Sequence, residues 1–349
     1  MAKKIHRRTF LSGAAGVTAA ATIGMPYVAR GAETLVINSY GGSFEKFMRS
    51  QIIPGFEKET GVEVKLDIGL TKAWIANLRA AGPENPPYDV LMFNSIWAAL
   101  AKSEGFFEAI PESEVPNMKD LYSVARFPNN DGVVGWMQPV GLAYRPDMVK
   151  TPPTSYKDLW DNPEFRDKTG LYTITNTAGM MFLLMIAKVY GGSEYNTDVA
   201  FSKIKELKPF KQVDFSGSME VMLTRGEINV GLLDFPAVAR IKNKGGNMDV
   251  GIPEEGMFMF DQVFNVLKGS KNKAAGYKWI NYILRPDVQA KWVKGYFVSP
   301  SNRSVEVADE VKHLIPIRGE KIASITGFDW KTANQNRDKV IDRWNKEMS

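Results

Sequence analysis

The chain has 349 residues, no cysteine and two histidines, so disulfide support, cysteine nucleophiles, most zinc sites and most histidine triads drop out. Its 44 lysines and arginines outnumber 39 acids, but Lys3, Lys4, Arg7, Arg8 and Arg30 all precede Glu33, and no acid does. A chain cut after Ala32 carries 39 charges of each sign, and the electrostatic case for a nucleic-acid partner disappears.

The first element in chain order is a leader. Basic residues precede a mildly apolar stretch, Gly13 to Met25, that is too short to span a bilayer, and small residues Ala29, Gly31 and Ala32 follow. This order predicts an export signal over residues 1–32, cleaved near Gly31/Ala32. Arg7-Arg8-Thr9-Phe10-Leu11 matches the twin-arginine pattern. No apolar run of about 18 residues follows, so no stable membrane insertion is expected of the processed chain. Its length suggests two lobes.

After the leader, strands and helices alternate. TLVINSY (Thr34 to Tyr40) reads as a strand ended by Gly41-Gly42, and Ser43 as the cap of a helix carrying Phe44, Phe47 and Met48. VEVKLDIG is a second strand, KAWIANLRAAG a helix closed by Gly82, YDVLMFN a buried strand, and SIWAALAKSEG a helix capped by Ser95. This order implies mostly parallel sheets covered on both faces, with ligands gathering where strands give way to helices. Asn38, Tyr40, Asn94 and Trp97 sit at such exits.

From Asp131 the rhythm changes. GVVGWMQPVGLAYRPDMV reads as a strand pair that leads, through Pro152-Pro153, into a second lobe. There an apolar helix begins near Thr177, capped by Thr175, Asn176 and Thr177, and its free backbone donors could hold an anion. A buried strand from Ile228 to Leu233 exits at Asp234, and after Phe258 to Phe260 the run QVFNVLK, Gln262 to Lys268, reads as another strand. The helix carrying Ala275, Trp279, Ile280 and Ile283 follows, and Pro286 starts the next one.

No G-x-S-x-G elbow, phosphate-binding G-x-x-x-x-G-K-[ST] loop or G-x-G-x-x-G turn occurs. Neither a metal nor a cofactor is therefore expected. A carboxylate-pair hydrolase using Asp234 and Asp261 stays open at this point, because the distance between acids is invisible in a sequence. What the chain does offer is binding material. Aromatic faces attract cations, and a carboxylate can take a charge-assisted hydrogen bond from an ammonium. Tyr40, Trp97, Trp136, Tyr144, Phe235, Phe260 and Tyr296 are candidates of the first kind. Asp234 and Asp261 are candidates of the second, since each follows an apolar run where a carboxylate needs a partner.

GFEKETGVEV, YDVLMFNSIWAALAKSEGFFEAI, TSYKDLWDNPEFRDKTG, GEINVGLLDFPAVAR, the stretch ending in ILRPDVQAKWV and GYFVSPSNRSV span most of the mature chain. In these segments the chain resembles the periplasmic solute-binding proteins of bacterial ABC importers, and among them the spermidine/putrescine-binding branch. The resemblance implies a two-lobed periplasmic-binding-protein fold (type II), α/β in class, each lobe a mostly parallel sheet flanked by helices about a hinge. It implies lobe 1 over 33–137 and 261–301, and lobe 2 over 138–260 and 302–349. It further implies a monomer in the periplasm that captures a small organic ligand and delivers it to a membrane permease complex, with no catalysis.

The resemblance places Asp261 opposite a ligand amine and Trp97 at or beside a site aromatic. Together with the residues at the strand exits, the expected lining is Tyr40, Asn94, Trp97, Thr175, Asn176, Asp234, Asp261 and Tyr296. The chain departs from polyamine binders in three places. Met259 stands where they carry an aromatic, neutral Thr175, Asn176 and Thr177 stand where they carry acids, and Leu233 and Asp234 stand where they carry a tryptophan. An amine-bearing, polyamine-like solute is the leading expectation. A small organic carboxylate or phosphonate on the helix start near Thr177 is the alternative.

Overall fold

A computed structural model describes residues 33–348. The export signal read over residues 1–32 lies outside the described residues, as do its arginine pair and cleavage site.

The β-branched start of the chain forms β1 (Thr34–Ser39), which α1 (Ser43–Phe47) and α2 (Ile53–Thr60) connect to β2 (Glu63–Ile68). Helix α3 (Thr71–Ala81) leads to β3 (Val90–Phe93), and α4 (Ser95–Ser103) and the short β4 (Phe107–Glu108) follow. β2 and β3 flank β1, both parallel to it, as right-handed strand-helix-strand units require. Gly61 ends α2 at φ 70°, a conformation that only glycine adopts without strain.

The expected strand pair after Asp131 is one twelve-residue strand, β5 (Val133–Tyr144). Its glycines make room and do not turn the chain. A Cβ on Gly141 would lie 2.5 Å from the Gly251 carbonyl oxygen, and one on Gly135 would lie 2.5 Å from the Phe264 ring. Next come α5 (Asp158–Asp161), β6 (Thr169–Tyr172), α6 (Thr177–Gly191), α7 (Thr197–Glu206), β7 (Lys211–Val213) and α8 (Ser216–Arg225). β8 (Val230–Asp234), α9 (Phe235–Asn243) and β9 (Asp249–Gly251) lead to β10 (Phe258–Leu267). The chain ends through α10 (Lys273–Ile283), α11 (Pro286–Tyr296), β11 (Ser299–Pro300), α12 (Asp309–Lys312), α13 (Trp330–Gln335) and α14 (Arg337–Glu347).

The main sheet runs β2-β1-β3-β10-β5-β8-β6-β7. Its two outer thirds are parallel, and its two long central strands are antiparallel to each other and to their outer neighbours. Two hydrophobic cores lie along it. The first gathers Phe56, Trp74, Trp279 and Trp292, and the second gathers Phe182, Phe201 and Trp344 around α6. Met137 and Met259 belong to the first, Val140 and Phe258 to the second, so β5 and β10 pass from one core to the other. The tail divides between them: Ile317, Ile322 and Ile325 pack on the first, and Ala333, Val340 and Trp344 on the second.

Candidate functional site

The site is organised by the register of the two crossing strands. Asp261 on β10 stands opposite Met137 on β5, while Asp234 on β8 stands opposite Val140. Residues directly opposite share a face and neighbours along a strand alternate, so Asp261 and Asp234 point to opposite faces of the sheet. Two strand spacings and three residues of offset separate their Cα atoms by about 14 Å. A carboxyl pair that cleaves a glycosidic bond stands about 5–9.5 Å apart around one substrate, and these two acids do not meet that condition.

On one face, Asp261 is 2% exposed. Its Oδ1 accepts the Ser95 backbone N–H at 2.8 Å, and its Oδ2 accepts the Ser95 hydroxyl. This is why Asn94 and not Ser95 is the residue preceding α4: the first N–H of the helix is taken by an acid from another strand. Asn94 Nδ2 donates to the Asp261 carbonyl at 2.6 Å. Burial pushes the Asp261 carboxyl up to about 6, against the pull of the two Ser95 hydrogen bonds. Among the described residues no lysine or arginine pairs with it. Tyr40, packed on Phe44 and Trp74, is close enough for the Asp261 charge to help raise its hydroxyl pKa, though burial is the larger cause. A cavity of about 700 Å³ opens beside Asp261 along the flank of α4.

Thr175 and Asn176 stand at the start of α6, which packs on β10. Asn176 caps the helix by accepting from Ala178 N at 2.8 Å, and its amide donates to the Asp214 carbonyl. Thr173, which lies 3.2 Å from the Thr175 hydroxyl, donates to the Asp214 carboxylate. The helix start is thus partly satisfied and has an acid beside it. Gly179 brings this turn against the end of β6, where a Cβ would lie 2.1 Å from the Thr173 carbonyl oxygen. Trp97 lies on α4 with the Arg337 guanidinium 4.1 Å from its ring.

On the other face, Asp234 accepts Ala237 N at 2.9 Å and so caps α9. Burial raises its pKa, and the nearby Arg240 charge lowers it. The Arg240 guanidinium lies 4.9 Å from the Tyr296 ring and 3.9 Å from Glu220, and the Tyr296 hydroxyl meets Ser43 at 3.2 Å. Gln262 donates to Gln138 at 3.3 Å across the two crossing strands. Sequence reasoning missed Gln138, Gln262 and Arg240. The two glutamines carried a signal, each being an amide inside a strand run of buried residues. Arg240 carried none, because its position six residues after Asp234 gains meaning only once α9 is seen to face α11.

A bacterial extracellular solute-binding protein family model matches residues 51–316. The chain belongs to that family. The solute-binding chain is 25% identical over 264 residues to the spermidine/putrescine-binding periplasmic protein of Escherichia coli, covering 71% of this chain and 73% of that one. It is 25% identical over 368 residues to the putrescine-binding periplasmic protein PotF of Escherichia coli, covering 96% and 97%. A solved ABC transporter structure from Clostridium perfringens superposes with a TM-score of 0.79 at 26% identity, over 90% of this chain and all of the other. An ABC transporter substrate-binding protein from Bradyrhizobium japonicum superposes at 0.76 with 19% identity, over 91% and 100%. These neighbours have the two-lobed α/β fold expected from the sequence. No helix among the described residues is long and apolar enough to cross a membrane.

Proposed function

We propose that this chain is an exported, monomeric periplasmic receptor that holds an amine-bearing organic solute with Asp261 as counter-ion and delivers it to an ABC permease. The observation that carries this reading is a buried carboxylate without a cationic partner among the described residues, beside a cavity, on a strand that joins two cores. An ammonium would supply the missing charge. The names of the two Escherichia coli relatives, both polyamine binders, support an amine as the recognised group.

The lobes of the proposal are 33–137 with 261–301, and 138–260 with 302–349, save that Ile317, Ile322 and Ile325 of the tail pack on the first core. Closure about the crossing strands would be driven by contacts that both lobes make only around the solute. Asn94 holds the Asp261 backbone, Tyr40 and Trp97 stand near it in the first lobe, and Thr175 and Asn176 contribute from the second, whereas Asp234 and Tyr296, expected in the lining, lie on the opposite face of the sheet and are left out of it. No covalent step is involved, and the opposed orientation of Asp234 and Asp261 argues against a hydrolytic pair. The Asp214 carboxylate beside the α6 start disfavours the carboxylate or phosphonate alternative.

Isothermal titration of the processed chain with putrescine, spermidine and a set of small carboxylates tests the reading. An amine should bind, and Asp261→Asn should remove that binding while leaving the melting transition cooperative. Binding of anions alone would overturn it.

A further inference from the structure

The cavity beside Asp261 has this one buried acid on its wall, a mostly apolar surface and several further charged groups. Phe127, Met181, Met259, Phe328 and Trp330 are among its apolar lining, and Met181 and Met259 are themselves buried. The remaining charged groups on the wall are not arranged for a second ammonium. Asp131 is already paired with Lys102. Asp329 accepts from the Tyr195 hydroxyl at 3.0 Å, from Thr332 N at 3.1 Å and from the Thr332 hydroxyl at 2.7 Å. Lys331 lines the same space and repels a distal amine, while Lys102 and Arg126 are held in ion pairs with Asp131 and Glu112.

We infer that the solute is a single amine carried on an apolar body, its ammonium on Asp261 and its body along the flank of α4. This rests on the reading of Asp261 as an amine counter-ion and names the class of amine. A diamine or triamine would have to leave its second charge either among methionine and aromatic side chains or beside Lys331 and acids that are already engaged. Both choices cost solvation that the cavity does not return. A hydrocarbon or aromatic body gains from the same surface by leaving water. The methionines suit such a body, because their unbranched, polarisable side chains adapt to its shape.

The experiment is titration calorimetry with melting curves on the processed chain, using phenethylamine, hexylamine, putrescine, spermidine and 3-phenylpropionate as probes. Phenethylamine or hexylamine should bind at least ten-fold tighter than putrescine and spermidine, and 3-phenylpropionate should not bind. Two variants locate the effect. Ala99→Leu, a change that helix α4 tolerates, should lower monoamine affinity at least ten-fold by filling the cavity. Lys331→Glu should raise putrescine affinity several-fold and leave hexylamine nearly unchanged. Polyamines binding tighter than both monoamines, or full monoamine affinity in a folded Ala99→Leu, would overturn this inference while Asp261 stayed an amine site. Absence of any amine binding, or amine affinity untouched by Asp261→Asn, would overturn the underlying reading as well.

Discussion

The two faces of the crossing strands treat a buried aspartate in opposite ways. Asp234 is held by the helix it caps and has the Arg240 charge nearby, so its desolvation is partly offset inside the protein. Asp261 has a helix N–H and a hydroxyl but, among the described residues, no cation, and a cavity lies beside it. Both acids are almost fully buried, so burial alone does not mark a binding group. The distinction lies in whether the charge is balanced from within the chain.

The strongest test of that contrast is removal of the Asp261 charge. Leaving a buried ammonium without its carboxylate costs about 3–5 kcal/mol, so Asp261→Asn should weaken amine binding by a hundred-fold or more in calorimetry. Asp234→Asn should stay within a few-fold of the unmodified chain. Similar losses in both would erase the distinction between the faces.

The unliganded protein should show the next effect. With its folded pKa near 6 and a free-carboxyl value of 3.8, Asp261 keeps a proton between pH 4 and 6 that the unfolded chain has released. Stability should therefore fall as pH rises through that window, by up to about 3 kcal/mol at 1.36 kcal/mol per pH unit. Asp261→Asn should flatten this slope and raise the melting temperature of the empty protein at pH 7. Amine affinity should rise as pH passes 6, where the carboxylate becomes ionised. A melting temperature insensitive to pH from 4 to 6 would show that the site is more hydrated than its burial implies.

Two smaller effects sharpen the comparison. Gly179→Ala should cost about 1–3 kcal/mol in chemical denaturation and shift the start of α6, since its Cβ meets backbone and not a flexible side chain. Asp234→Ala should cost about 1 kcal/mol through loss of the α9 cap, a loss that Asp234→Asn should largely avoid. Cap loss that also removed amine binding would place Asp234 in the same site as Asp261.

Local rules made much of the fold legible. The Thr177 start of α6, the Pro286 start of α11 and the glycine end of α3 follow from caps, proline and periodicity, all of which act over a few residues. They failed where distant chain intervened. Ser95 is the first residue of its helix and not the cap before it, and its N–H and hydroxyl both go to Asp261, 166 residues away. Gly135 and Gly141 leave β5 unbroken because Phe264 and Gly251 need the space.

The sequence by itself determined the class of molecule: an alternating α/β chain, similar along most of its length to solute binders. It also marked Asp234 and Asp261 together, because each acid follows an apolar run, and only the family resemblance set Asp261 ahead of Asp234. Only the tertiary structure decided that Asp234 faces away from Asp261, since the face a side chain takes depends on the register between strands far apart in the chain. Tertiary packing likewise brought three cations and a set of apolar side chains to the wall of one cavity. Charge balance at a buried site is a sum over neighbours in space, which no local reading of the chain can perform.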